Sequence, residues 1–351
     1  MKFIHIADVH LGVCPNAGKA YTENRNKEIQ HTFERVVQVC ETEKADLLLI
    51  AGDLFHRQPL LRELRELDAL FAELTHTKVV LIAGNHDYLN PNSYYRRYKW
   101  KSEVYGLMSG ELDYIEFQEL KTCVYGLSYL EKEITEPLYD NAFPEHRQKN
   151  EILLAHGGDE KHIPIQKNRL IQLGYDYIAF GHIHRRTVLQ EGKIEYAGSL
   201  EPTDKNDIGP HGYVKGEIIN GNVKTEFVPF ASREYIHTTV EMTTQMTQRE
   251  LKNEIKNKIG QLGIENIYKI TVTGFRTQDL ELELENMDVY GNVLEFVDDT
   301  QPYFDFEKLY RMNESNLLGK YIESLRGSEP GSVEYEALFE GVCALTEVKE
   351  G

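Results

Sequence analysis

The 351 residues include 39 Lys and Arg against 57 Asp and Glu, a formal net charge of -18, and 41% of them are hydrophobic. This composition indicates a globular chain with a sizeable core, and the length favours two or three domains. No apolar run approaches the roughly 20 residues that cross a bilayer, and no signal-type segment opens the chain. We therefore expect a cytoplasmic protein with no membrane span, whose four scattered cysteines are reduced thiols.

The negative charge is concentrated in the C-terminal third of the chain. Residues 1–239 carry 28 basic against 35 acidic side chains, whereas residues 240–351 carry 11 against 22. A net acidic protein has no general electrostatic attraction for nucleic acid. Any DNA binding would therefore need a local basic patch or a partner subunit.

The N-terminal part of the chain alternates buried strands with amphipathic helices. Apolar runs predict strands at residues 3–7, 46–51 and 79–83. Apolar residues at helical spacing predict helices over about residues 27–43 and 60–74. Strands separated by helices predict a largely parallel sheet.

Beyond residue 110 the pattern changes to short strands in meander order. Buried strands are predicted at residues 152–155 and 177–180, and meander-type strands at residues 114–117, 123–127, 188–189, 194–197, 213–219 and 223–230. Asn220 and Gly221 form a strong hairpin turn signal between the last two. These strands favour antiparallel pairing and predict an α/β fold in which two sheets pack together with helices outside.

The C-terminal part predicts a smaller domain and a tail. Residues 236–300 indicate a separate α+β capping domain, with a helix that begins at a capping box formed by Thr247 and Glu250. Residues 301–351 indicate a helical tail, with helices at 304–325 and 333–345 on either side of a Gly- and Pro-containing break. Together with a first domain at residues 1–235, this gives three predicted parts.

Five predicted strands end in side chains that can bind metal. These residues are Asp8, His10, Asp53, His56, Asn85, His86, Asp87, His156, His182 and His184. Because ligand sites in α/β proteins lie beyond the carboxyl ends of the strands, we expect the side chains to meet at one rim. A single Asp or His at a strand end often only caps a turn, but five such motifs in this order favour a polynuclear metal site.

The residue types indicate the chemistry of that site. Carboxylate and amide oxygens mixed with imidazole nitrogens suit manganese, iron or zinc. A carboxylate shared by two ions lets them sit roughly 3.5 to 4 Å apart, and Asp53 is the candidate for that bridge. Such a pair lowers the pKa of water and clamps the oxygens of a phosphate undergoing in-line displacement. The predicted reaction is phosphoester hydrolysis.

These motifs resemble the five signatures of the calcineurin-like metallophosphoesterase superfamily. They are Asp8-x-His10, Gly52-Asp53, Gly84-Asn85-His86-Asp87, His156 and Gly181-His182-x-His184. Within residues 1–230, the segments around Asp8, Asp53 and Asn85 are similar to those of SbcD/Mre11-type DNA repair exonuclease subunits. The resemblance implies an αββα sandwich that hydrolyses DNA phosphodiesters with two divalent ions, Mn²⁺ foremost and Fe²⁺ or Zn²⁺ as alternatives.

The resemblance also implies roles for individual residues. One ion would be held by Asp8, His10, Asp53 and His184, and the other by Asp53, Asn85, His156 and His182. His86 would face the phosphate without binding metal and would stabilise or protonate the leaving oxygen. Asp87 would either orient that imidazole or cap a turn. His56 stands where many phosphatase relatives have an acidic residue, and it is a second candidate for contact with the DNA phosphate.

The most basic and aromatic window of the chain directly follows the third ligand motif. It contains Arg96, Arg97, Lys99 and Trp100. These side chains either form a solvated helix face or bind a DNA strand, with cations on phosphates and the ring stacked on bases. The position of the window next to the predicted site favours DNA binding. The histidines without a strand-end context are assigned no role: His5, His31, His76, His146, His162, His211 and His237.

Three functions and several partners stay open. The favoured function is a metal-dependent DNA exonuclease or endonuclease; a phosphomonoesterase or cyclic-nucleotide phosphodiesterase is the alternative, and an inactive scaffold is the third. The expected partners are DNA and, by resemblance, an SbcC/Rad50-like coiled-coil ATPase, with a homodimer left open. The tail would dock on the ATPase through Phe304, Leu309, Leu317, Leu318, Tyr321, Ile322, Leu325, Leu338, Phe339, Val342 and Leu345, or would fold back on the capping domain.

Overall fold

A computed structural model describes residues 1–350, with side chains for residues 1–346. The chain forms two compact units. The first comprises Met1–Thr238, Leu262–Lys269 and Val289–Glu295, and the second comprises Thr239–Gln261, Ile270–Asp288 and the chain from Phe296 onward. The three-part division expected from the sequence stays a prediction.

The elements follow one another in the order that the sequence indicates. The strands are β1 Lys2–Ile6, β2 Leu47–Ala51, β3 Lys78–Ile82, β4 Val104–Gly106, β5 Asp113–Phe117, β6 Thr122–Gly126, β7 Asn150–His156, β8 Tyr177–Gly181, β9 Thr187–Gln190, β10 Ile194–Tyr196, β11 Gly212–Ile219, β12 Asn222–Pro229, β13 Tyr235–Met242, β14 Ile267–Arg276 and β15 Val293–Pro302. The helices are α1 Gly18–Tyr21, α2 Arg25–Glu43, α3 Leu61–Phe71, α4 Tyr94–Arg97, α5 Lys167–Gln172, α6 Gln248–Leu262, α7 Phe306–Asn313, α8 Leu317–Ser324 and α9 Val333–Glu350.

The first unit contains two mixed sheets of six strands each. One has the order β12-β11-β1-β2-β3-β4 and the other β5-β6-β7-β8-β10-β9. Strands β1 to β4 are parallel to one another, and so are β6, β7, β8 and β10. Antiparallel strands are added at the edges. The α/β class with two sheets is therefore confirmed.

Side chains along β2 point alternately to the two faces of its sheet, and each face packs against a different layer of the first unit. Every residue of this strand is buried, because one face of the sheet meets the other sheet and the opposite face meets helices. Leu47 and Leu49 pack in the core between the sheets, which also contains Ile152 of β7. Leu48 points the other way and packs with Phe33 of α2. Successive side chains of a strand point to opposite faces, so one apolar run serves two cores.

The chain from Tyr235 onward contains a small sheet and helices. The sheet has the order β13-β14-β15. Helix α6 begins after the predicted capping box, in which the Glu250 carboxylate accepts from the Thr247 amide at 2.8 Å and the Thr247 hydroxyl accepts from the Glu250 amide at 3.3 Å. No helix within the described residues is long and apolar enough to cross a membrane.

The tail differs from its prediction in one respect. The single helix expected at residues 304–325 is wrong, because α7 ends at Asn313 and α8 starts at Leu317. The Asn316 side chain accepts from the Gly319 amide at 3.2 Å and so caps the start of α8. Asparagine is among the best residues at this position, and it starts a new helix here.

The tail also buries most of the apolar residues that the sequence suggested for a partner. Phe304, Leu318, Ile322, Leu338 and Val342 form the buried centre of a small core. Leu309, Tyr321, Leu325, Phe339 and Leu345 pack against it. Leu317 is different, since 69% of it is exposed. The tail helices therefore pack against one another, and these buried side chains are not available to a partner.

A buried ion pair ties α2 to the loop that follows β10. Arg25 donates to the Glu201 carboxylate at 2.6 Å, and both side chains are fully buried. The other carboxylate oxygen of Glu201 accepts from the Thr32 hydroxyl and from the Ser232 amide, each at 2.6 Å. Three donors, the Arg25 guanidinium, the Thr32 hydroxyl and the Ser232 amide, therefore share this one carboxylate.

Glu201→Ala should lower the free energy of unfolding of the metal-free protein by about 3 kcal/mol, because the buried Arg25 guanidinium loses its fully buried carboxylate and is left with the Glu28 carboxylate and the Pro202 carbonyl. Urea denaturation measures this change. Glu43→Ala is the matched control: its ion pair with Lys215 is exposed, so its loss should cost less than about 1 kcal/mol. Equal effects of the two substitutions would contradict the assigned role of the buried pair.

Candidate metal centre

Five strands deliver polar residues to one rim of the first unit. The residues at or just beyond the carboxyl ends of β1, β2, β3, β7 and β8 are Asp8, His10, Asp53, Asn85, His156, His182 and His184. The rims of the two sheets meet, because the Asp8 carboxylate accepts from the His182 amide at 2.9 Å and Ala7 forms a parallel bridge with Ser199. The structure thus brings together all seven residues that the sequence indicated as metal ligands.

The backbone is strained at several of these positions. Asp8, His10 and Asp53 have φ angles of 51°, 52° and 50°, and His182 has a φ angle of 94°. Positive φ is uncommon for residues other than glycine. Such strain persists where the surrounding structure enforces it, often at functional sites. Here it turns the chain at each strand end so that the side chains face one another.

A first group of donor atoms forms around His10 and His184. Their Nε2 atoms are 3.0 Å apart. The Nδ1 atom of His184 lies 3.0 Å from the Asp207 carboxylate, which can only accept when ionised. Nδ1 therefore carries a proton, and Nε2 presents a lone pair when the ring is neutral. Asp8 completes the group, since one of its carboxylate oxygens lies within 4.8 Å of a ring nitrogen of each histidine.

A second group forms around the Asn85 side chain. His156 Nε2 lies 2.9 Å and His182 Nδ1 lies 3.1 Å from the Asn85 Oδ1 atom. His156 Nδ1 donates to the Ala51 carbonyl at 2.8 Å, and His182 Nε2 donates to the Asp159 carboxylate at 2.7 Å. The inner nitrogens, His156 Nε2 and His182 Nδ1, therefore face the Asn85 oxygen and present lone pairs when the rings are neutral.

These contacts test whether metal ions fit the site. When the rings are neutral, lone pairs face one another at about 3 Å and repel, whereas a cation between them, either a second proton on an imidazole or a metal ion, is stabilised by all of them. The Asp53 Oδ2 atom lies 3.9 Å from His10 Nε2 and 3.5 Å from His156 Nε2, within reach of both groups. The donor set and its tautomers fit two divalent ions that share Asp53.

The electrostatics of the site also favour positive charge. Burial alone would lower the pKa of His156, but the nearby Asp53 carboxylate raises it to about 9. Burial likewise opposes charge on His184, yet its hydrogen bond to Asp207 raises its pKa to about 9. Burial raises the pKa of Asp8 to about 6. The buried carboxylates thus create a field in which cations are stabilised.

His86 and His56 lie at the mouth of the site. The backbone amide of His86 donates to Asp53 at 2.8 Å, and its ring Nδ1 donates to the His56 carbonyl at 3.1 Å. The two rings are stacked with centroids 4.8 Å apart, and the centroid of the His10 ring lies 4.8 Å from that of His86. His56 is exposed and His86 is half-buried. Both can therefore reach a substrate.

Asp87 caps a turn in this structure. Its side chain is fully buried and accepts from the Gly84 amide at 2.8 Å and from the Phe55 amide at 3.1 Å. Its contacts hold the backbone that carries Asn85. Of the two roles left open by the sequence, the contacts favour the turn cap over orientation of His86.

The basic window lies on short helix α4 and the segment after it. Arg96, Arg97 and Lys99 are exposed. The Trp100 ring is half-buried against the core, 6.1 Å from Phe71 between centroids. Trp100 thus serves packing, and the exposed cations are the part of this window available to a phosphate backbone.

Sequence analysis missed two acidic residues that hold the imidazoles from behind. Asp159 contacts His182, and Asp207 contacts His184. Asp159 stands three residues after His156 at a strand end, which is the signal that found the other residues. Asp207 has no such signal, because it lies in a loop between β10 and β11. His162, assigned no role, contacts Asp159 through Nδ1 at 2.9 Å.

Comparison with known proteins identifies the class. The model of the calcineurin-like phosphoesterase family matches residues 1–186, and the chain belongs to this family. Members of this family are metal-dependent phosphoesterases, hydrolases that use a pair of divalent metal ions. The resemblance to this superfamily inferred from the motifs is confirmed.

Two curated relatives show how far the similarity extends. The chain is 27% identical over 254 residues to the uncharacterized metallophosphoesterase YhaO of Bacillus subtilis, covering 65% of this chain and 60% of that protein. It is 28% identical over 219 residues to the DNA double-strand break repair protein Mre11 of Methanocaldococcus jannaschii, covering 59% of this chain and 58% of that protein. The match thus spans about three fifths of each relative.

Gly84→Ala should weaken metal binding at least about tenfold, a loss of the size seen when supporting residues of metal sites are changed. A Cβ atom at this position would collide with the Asp53 carboxylate and lie 2.7 Å from His156 Nε2. Bound Mn²⁺ per chain, measured by atomic spectroscopy after gel filtration, tests this. Gly260→Ala is the control, because a Cβ atom there meets open space. Full metal content in Gly84→Ala would refute the packing argument.

Proposed function

We propose that the protein hydrolyses phosphodiester bonds of DNA as a two-metal exonuclease or endonuclease subunit, with Mn²⁺ as the preferred ion. The observation that carries this proposal is the cluster of three imidazoles, His10, His56 and His86, next to the two groups of donor atoms. Two of these imidazoles are open to a substrate. The similarity to a protein named for DNA double-strand break repair supports the same reading.

The roles of the residues follow from their contacts. Bound divalent ions supply the Lewis acidity that lowers the pKa of water and neutralises charge on phosphate oxygens. His86 is fixed through Nδ1 by the His56 carbonyl, so its Nε2 atom is the one that faces an incoming phosphate. In its protonated form this atom stabilises the charge that develops in the transition state or delivers a proton to the leaving oxygen. His56 is placed for a second phosphate contact.

A phosphomonoesterase or cyclic-nucleotide phosphodiesterase is the second candidate function. The same donor atoms would serve those reactions, and the uncharacterized metallophosphoesterase YhaO is 27% identical to this chain. The net charge of -18 also gives no general attraction for DNA. An inactive scaffold is less well supported, because every proposed ligand position is filled by a residue of a type that can bind metal.

We further propose that an SbcC/Rad50-like ATPase in the cytoplasm presents DNA to this subunit. A basic partner surface would offset the acidity of the chain, and Arg96, Arg97 and Lys99 would guide the strand. The buried apolar residues of the tail are used within the tail. Docking would therefore use the exposed side chains Met312 and Leu317, which are 72% and 69% exposed.

His86→Ala should keep both metal ions and lower the rate of DNA hydrolysis by about 10² to 10⁴, the usual contribution of a general acid. The rate is measured on end-labelled duplex DNA with Mn²⁺, and metal content is measured in parallel. His76→Ala is the control, since that half-exposed ring pairs with Asp46 on the surface. Loss of a metal ion, or a rate within twofold of the unmodified protein, would remove the proposed role of His86.

The double variant Met312→Glu and Leu317→Glu should reduce co-purification with a co-expressed SbcC/Rad50-like ATPase at least about tenfold, because charges cannot enter an apolar groove without cost. Its melting temperature should be unchanged, since both side chains are exposed. Ile219→Glu in the first unit, 52% exposed, is the matched control. Co-purification that survives the double substitution would show that docking does not use α7 and α8.

A further inference from the structure

Two carboxylates stand behind two of the imidazoles at the rim. Asp207 Oδ2 lies 3.0 Å from His184 Nδ1, and Asp159 Oδ2 lies 2.7 Å from His182 Nε2. Neither carboxylate is among the proposed metal ligands. Each contacts the ring nitrogen that faces away from the other donor atoms.

We propose that Asp159 and Asp207 are positioning residues that each support a different one of the two metal ions. This inference rests on the proposed two-metal function. Asp207 fixes the His184 ring so that Nε2 points to the group containing His10. Asp159 fixes the His182 ring so that Nδ1 points to Asn85. A carboxylate on the outer nitrogen of a ligand histidine sets its tautomer and increases the basicity of the inner nitrogen.

Hydrogen bonds from neighbouring groups hold the Asp207 carboxylate in place behind His184. Besides the imidazole, Oδ2 accepts from the Thr203 amide at 2.9 Å, from the Thr203 hydroxyl at 3.1 Å and from the Asp204 amide at 3.1 Å. Every one of these partners is a donor, so the carboxylate acts only as an acceptor. His184 can donate a hydrogen bond to this carboxylate only with a proton on Nδ1.

Asp159 is held in the same manner although it lies closer to solvent. Its Oδ1 atom accepts from the Lys161 amide at 2.8 Å and from the His162 amide at 3.0 Å. His162 also contacts Oδ1 through its ring Nδ1 at 2.9 Å. The side chain is 47% exposed, but these bonds fix its orientation. His162 therefore acts through Asp159, and the centroid of its ring lies 4.5 Å from that of His182.

The two supports are separate in the chain. Asp159 belongs to the loop after β7, and Asp207 belongs to the loop between β10 and β11. Each contacts only one of the proposed ligands through its side chain. The loss of one carboxylate should therefore weaken one ion and leave the other nearly unchanged. A general structural role would weaken both ions together.

Calorimetric titration of the metal-free protein with Mn²⁺ tests this separation. The unmodified protein should bind two equivalents. Asp159→Ala and Asp207→Ala should each weaken one of the two by about 10- to 100-fold, the usual loss for such supporting residues, and leave the other within about threefold. The double variant should weaken both. Glu160→Ala and Asp204→Ala are the controls, each removing a neighbouring carboxylate that does not contact an imidazole.

Conservative variants keep the test valid if an alanine variant fails to fold. Asp159→Asn and Asp207→Asn retain an oxygen that accepts from the imidazole but lose the negative charge. They should recover part of the lost affinity at the same site. The melting temperature of each metal-free variant shows whether the loop itself is intact. Recovery at one site with an unchanged melting temperature supports positioning.

Three results would overturn the proposal. Variants of both carboxylates that bind Mn²⁺ like the control variants would show that the contacts do not support metal. An equal loss at both sites in each single variant would show a general structural effect. A third equivalent of Mn²⁺ that disappears in His162→Ala would make Asp159, His162 and His182 a metal site of their own.

The binding readout separates this inference from the proposed function. Two ions with the expected pattern but no cleavage of DNA would remove the nuclease assignment and leave the positioning roles in place. Cleavage of DNA by the unmodified protein, together with normal Mn²⁺ affinities in both variants, would support the nuclease assignment and remove the positioning roles. Absence of any Mn²⁺ binding by the unmodified protein would overturn both.

Discussion

The structure of the rim depends on the repulsion among buried acceptor atoms that face one another. Asp53 and Asp8 are buried carboxylates, and the imidazoles around them donate on their outer side, so that their inner nitrogens present lone pairs when the rings are neutral. Such an arrangement is costly unless positive charge enters it. A second proton on an imidazole, or the divalent ions that the family uses, would supply that charge, so metal binding and the architecture of the rim depend on one electrostatic balance.

The fold meets this constraint by bringing strand ends close together. Parallel strands of two sheets end at the same rim, and left-handed backbone at Asp8 and Asp53 turns the side chains inward. Glycines at 52, 84 and 181 allow the approach, since a Cβ atom at any of them would collide with the backbone or with a ligand side chain. The strands of the sandwich pack against a core on each face, and the stability of this packing holds the strained rim in place.

Groups on the outer side of the imidazoles hold three of the proposed ligand rings in place. Ala51 fixes His156 through a carbonyl, whereas Asp159 and Asp207 fix His182 and His184 through carboxylates. The mouth is lined by His56 and His86, which have fewer contacts and more exposure. Ligand side chains that are fixed in place suit tight metal binding. Accessible imidazoles at the mouth of the site suit exchange of substrate.

The sequence by itself determined the α/β class, the order of elements and the seven inner side chains, because strand patterns and strand-end residues are local signals. It also indicated the family through the spacing of those motifs. Only the tertiary structure decided that Asp87 caps a turn, that Trp100 packs inward and that the tail helices bury one another. Asp207 belongs to the rim for the same reason: its partner His184 lies 23 residues away, and only folding makes them neighbours.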